Sequence, residues 1–270
     1  MGLSRKVASI MMLGVSSHTG REPPGKPEWD RAKADRDRKK AAEAQAVQAQ
    51  AEAKVAEEQA AALARALHDH GEREQSLQIA EHGLTLQGPK ASLATWLRDA
   101  AAAMGETPRA LAAAEVAYRE ELSLANYLRV AELAGEKWPE RRAELLDYAR
   151  QKKTYYPHGP VDIFLHEGLI DDAIAAVEPG ATHTLVERVV DAALESRPDW
   201  VIQACRRQAE SIMDEGKAQY YSAAAKWLAK ARTAYRAAGR EAEWQTYLAE
   251  LLTRHGRKYK LVPMLQALRR

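Results

Sequence analysis

The chain is poor in several things that would have named a fold class. It holds one cysteine, one phenylalanine and no strict apolar–polar alternation. With Cys205 alone, no intramolecular disulfide framework exists, and no site can draw two cysteine ligands from this chain. A lone thiol fits a reducing compartment, so the sequence predicts a cytoplasmic protein. No apolar run approaches the ~20 residues needed to cross a bilayer, so no membrane role is expected. The missing period-two pattern argues against sheet. Net charge is only +2, which leaves no global electrostatic case for nucleic acid. No G-x-G-x-x-G, Walker loop or G-x-S-x-G is present, and no nucleophile–base set stands out. His166-Glu167 begins like a metalloprotease helix, but Ile170 stands where the second histidine belongs. The chain therefore reads as non-catalytic, without a metal or cofactor.

Alanine, leucine, glutamate, lysine and arginine are plentiful, and these are strong helix formers. Residues 1–27 end in Glu-Pro-Pro-Gly-Lys-Pro and read as a disordered leader. Arg5-Lys6 and Val7 to Val15 have the charged and apolar parts of a signal peptide, but the apolar part is short and interrupted by serine and glycine. Residues 28–62 read as an exposed helical spacer, since Val47 and Val55 are the only large apolar residues between Asp30 and Ala62. Six basic residues among 31–40 read as a solvated helix face. Residues 63–270 read as the packed domain.

Within that domain a glycine recurs with a small-then-aliphatic pair behind it. Gly71 precedes Ser76-Leu77, Gly105 precedes Ala110-Leu111, and Gly168 precedes Ala173-Ile174. Position nine after each glycine is again small or apolar (Ala80, Ala114, Val177), and Gly135 carries a looser version with Leu145 and Leu146. The glycines lie 34, 30 and 33 residues apart, the period of a helix-turn-helix repeat. Small side chains let paired helices approach to about 8–10 Å. Gly105, Ala110, Leu111, Ala114 and Ala117, and again Gly168, Ala173 and Ile174, resemble the tetratricopeptide repeat. The fold expected is all-α: an antiparallel helical-hairpin array, an α-solenoid of tetratricopeptide type, with a long exposed N-terminal helix.

The C-terminal part carries a second resemblance. Tyr220-Tyr221, Ala225-Lys226-Trp227-Leu228, Ala234-Tyr235, Trp244, Tyr247-Leu248, His255, Arg257 to Leu261 and Pro263, with Asp162 to Gly168 upstream, resemble the C-terminal helical region of bacterial SWIM-type zinc finger proteins. The resemblance implies a helical repeat attached to a zinc module that binds DNA or protein. The Cys-x-Cys and Cys-x-His pairs of that module are missing from this sequence, so the fold carries over and the metal does not.

Two candidate sites follow. Arg254, His255, Arg257, Lys258, Tyr259 and Lys260 join cations to an imidazole and an aromatic ring. They could hold phosphates and stack a base, or simply complement a helix C-terminus. Tyr155, Tyr156 and His158 form an aromatic loop at a break in the array, which could line a partner groove or plug a gap. The function expected is a scaffold that binds a protein or peptide partner. The alternative is a nucleic-acid-associated accessory protein using the basic C-terminal surface.

Overall fold

The computed structural model describes residues 26–152, 157–177 and 180–269. Among the described residues all regular structure is helical, with no strand. The helices are α1 (Lys26–Asp69), α2 (Arg73–Thr85), α3 (Ala91–Ala103), α4 (Thr107–Glu120), α5 (Leu124–Ala134) and α6 (Trp138–Gln151). They continue with α7 (His158–His166), α8 (Ile170–Val177), α9 (His183–Ala193) and α10 (Pro198–Glu215). The chain ends with α11 (Tyr221–Ala237), α12 (Glu241–Arg254) and α13 (Val262–Ala267). Short 3-10 turns precede α6 (Gly135–Lys137) and α11 (Ala218–Tyr220). Among the described residues no helix is long and apolar enough to cross a membrane.

The chain divides into two units at Ala53. In the first, residues 33–52 of α1 are all exposed, Val47 at 67%. Such a stretch is helical through its alanine and glutamate propensity, since it buries nothing. The second unit, from Lys54, holds the cores. No glycine or proline interrupts α1 between residues 54 and 69, so the helix runs unbroken to the Gly71 turn. Its buried stripe is Glu57, Ala61 and Ala64, whereas Leu63 is half-exposed. Small residues face inward because the approach is close. A Cβ added at Gly83 of α2 would lie 3.0 Å from the Ala60 Cβ and 2.6 Å from Leu93 Cδ2.

Helices that adjoin in sequence pack against each other from α2 through α13. Helices α5 and α7, α7 and α9, and α11 and α13 also meet. The turns explain the regularity. At Gly105 the glycine N–H donates to Ala102 O and the next N–H donates to Ala101 O, with φ +77° at the glycine. This pair of bonds closes a helix through a left-handed residue, which a side chain would strain. The same bonds recur at Gly71, Gly168 and Gly239. The position five residues later is fully buried each time: Ser76, Ala110, Ala173 and Trp244. Leu111 and Ile174, the next residues, are only half-buried and pack on the rim of the core. Gly135 departs from the pattern because a 3-10 turn follows it, and this shifts Leu145 and Leu146 later while leaving both buried.

The apolar stripes of α9, α11 and α12 are buried, including Leu185, Val189, Ala224, Leu228, Trp244 and Leu251, with Leu194 and Leu252 partly buried at their edges. Tyr220 falls outside the α11 stripe. It lies in the 3-10 turn ahead of α11 and is 48% exposed.

Candidate functional site

The basic C-terminal segment separates into two groups. It forms the end of α12 and the turn to α13, beside the C-terminal turn of α10. Arg254 places Nη1 3.7 Å from Glu210 Oε2. Lys258 donates from Nζ to the Met213 carbonyl, one of the last of α10, where the helix dipole is negative. His255 is 3% exposed, with Nε2 3.8 Å from Asp214 Oδ1 and no hydrogen-bond partner. Burial holds its pKa below the ordinary histidine value, and Lys258 and Arg254 act in the same direction while Asp214 opposes them. These three residues fasten α12 to α10. Arg257, Tyr259 and Lys260 point outward. Tyr259 is 78% exposed, and Lys260 Nζ sits 5.9 Å from its ring centroid.

Tyr155 and Tyr156 lie outside the described residues. His158 is exposed at the first residue of α7. The neighbouring Gly159 is pressed against α5's approach: an added Cβ would lie 1.8 Å from the Leu122 carbonyl oxygen.

Two other residues singled out in the sequence, Cys205 and Glu167, resolve as packing. Cys205 is fully buried, which pushes its thiol pKa up to about 12 and removes the thiolate a nucleophile needs. His68 meets Trp96 edge-on at 5.6 Å, while His70 and His82 are exposed. Among the described residues no group of three metal-ligating side chains converges. Glu167, beside the failed metalloprotease motif, accepts from Tyr127 Oη at 2.6 Å and Arg142 Nε at 2.7 Å. Burial disfavours its charge, but those two bonds outweigh burial and hold its pKa below the usual carboxylate range. The triad ties α5, α6 and the end of α7 together.

A groove that the sequence did not mark opens where α9, the end of α10 and the start of α11 converge. Its volume is about 500 Å³. Ile212, Ala223 and Trp227 line its apolar part, with Tyr220 beside them. His183, Glu187, Glu215 and Lys226 supply its polar part. Trp227 is nearly buried and Tyr220 half-exposed, so the aromatic surface grades from core to solvent. The available signal was Tyr220 itself, one residue too early for the α11 stripe.

No family model matches the chain, and no curated protein or solved structure matches it.

Proposed function

We propose that the chain is a non-catalytic scaffold that holds a protein or peptide partner in the groove between α9, α10 and α11. Its second unit is read as a stack of tetratricopeptide-like hairpins, supported by the four matching glycine turns and the sequential helix pairing. The single observation that carries the function is the groove, with half-exposed Tyr220 beside nearly buried Trp227 and Ile212. Concave apolar surfaces with a few polar groups are the usual form of a binding site. A cytoplasmic setting accords with the single buried thiol.

The test fills the groove. Ala223→Trp places an indole in it, and peptides selected from a display library on the full chain should lose binding to this variant. Unchanged binding, with a native circular dichroism spectrum, overturns the reading.

The second reading is nucleic-acid association through the C-terminal turn, in line with the SWIM-type resemblance. It is favoured by the outward placement of Arg257, Tyr259 and Lys260. Retention of single-stranded DNA should then fall with salt, by a log–log slope of about −1.4 for two phosphate contacts. Arg257→Glu with Lys260→Glu should abolish it. Lys258 is left intact because it serves the α10 terminus. Retention that ignores salt and the double reversal removes this reading.

A further inference from the structure

We propose that the groove takes an acidic peptide segment, one carboxylate of which pairs with Lys226 beside an apolar side chain seated on Ile212 and Trp227. The inference rests on the groove reading above and adds the chemistry of the partner. On α9, His183, Glu187 and Asp191 follow one another at helical spacing, four residues apart. On α11, Lys226 and Lys230 do the same. Such spacing places each set along one face. The two rows meet as a ladder. Lys230 Nζ lies 3.3 Å from Glu187 Oε1 and also pairs with Asp191. One turn earlier on both helices, Lys226 and His183 line the groove together. By the same register Lys226 stands between His183 and Glu187; Glu187 is already paired with Lys230 and the other position holds histidine, so this rung has no free carboxylate. Lys226 is exposed and has no ion-pair partner among the described residues. The groove's other acid, Glu215, is paired with Lys217 at 3.2 Å.

The vacant rung selects a single anion. One carboxylate matches one unpaired ammonium, whereas a nucleic acid would bring successive phosphates against Glu187 and Glu215. The apolar lining then favours an aliphatic or aromatic residue next to the acid. An ammonium at a groove edge gains little from one exposed pair, so the apolar contact supplies affinity and Lys226 supplies selectivity.

Three fluorescein-labelled dodecapeptide pools test this on the full chain by fluorescence polarisation. Each pool carries two leucines, with glutamate, glutamine or lysine between them. The glutamate pool should bind roughly two- to fivefold tighter than the glutamine pool, the range one exposed ion pair supplies. Lys226→Glu should reverse the order and favour the lysine pool, and Lys226→Arg should restore the original order. His183→Glu supplies the missing rung internally and should weaken the glutamate pool alone. If glutamate and glutamine pools bind alike and Ala223→Trp abolishes both, the groove stands and the acidic preference falls. Binding by no pool overturns the acidic-peptide proposal, while the display selection judges the groove separately. Displacement by single-stranded DNA in preference to peptide also overturns it.

Discussion

The cluster joining α1 to the first half of α4 buries Ala61, Ala64, Ala80, Ala100, Ala101, Ala110 and Ala113 with Leu77, Leu93 and Leu97. From Ala114 onward the second cluster buries Tyr118, Tyr127, Phe164, Trp227, Tyr235 and Trp244 among valines and leucines. Both satisfy the same backbone turns, but by opposite means. Alanine lets helix backbones come close and gains dispersion, yet removes little apolar area from water. An aromatic ring buries about 150–250 Å². The first cluster therefore rests on close backbone approach with little apolar area per residue, and the second adds large ring area to alanine contacts of its own, among them Ala173, Ala204, Ala224 and Ala231. The groove lies beside the second cluster, next to the charged rows of α9 and α11.

Removing a ring from the second cluster is the harshest way to break this contrast. Trp244 is fully buried, 5.9 Å from the Tyr235 ring and 6.1 Å from the Tyr247 ring. Trp244→Ala should cost about 3–5 kcal/mol in urea unfolding. A loss below about 1 kcal/mol would mean that the aromatic cluster is not what stabilises the C-terminal hairpins.

Adding a ring to the alanine turns sharpens it. Ala110 and Ala173 occupy the same place after their glycines as Trp244 does after Gly239. Ala110→Trp and Ala173→Trp should each destabilise by about 1–3 kcal/mol or more, because the neighbouring helix stands too close. Ala110 lies in the first cluster and Ala173 in the second; thermal melts of Ala110→Trp that match the parent chain would show the first cluster to be loosely spaced, and the contrast would fail.

These positions also show what the sequence could reveal. A left-handed glycine and a small residue five places later are local requirements, so three of the four turns were legible from their spacing. The turn at Gly239 has the same bonds but carries Trp244, so a search for small residues passes over it. The sites were harder to read. The basic character of residues 254–260 is plain in composition, yet the inward turn of His255 and Lys258 depends on where α10 ends, some 40 residues earlier in the chain. Likewise the unpaired Lys226 is visible only once the α9 and α11 rows are in register. Periodicity gives each row, and only packing gives their pairing.

The smallest effect concerns the joint between α10 and α12, where the aromatic cluster ends. His255 is buried beside Arg254 and Lys258, with Glu210 and Asp214 of α10 facing it. Its folded-state pKa lies below the ordinary value of about 6.5. Between those two values the unfolded chain binds more protons than the folded one. The contribution is thus complete above pH 6.5 and is lost as pH falls toward the lowered pKa. The urea midpoint of the parent chain should decline from pH 7 to pH 5.5 more steeply than that of His255→Gln. Hydrogen-exchange protection factors in residues 256–268, which correct for the intrinsic pH dependence of exchange, should fall over the same interval, since Leu261 and Leu265 are buried just beyond the joint. Parallel midpoints for the two proteins would show that the imidazole titrates without strain, and that the end of the array is held by apolar contacts alone.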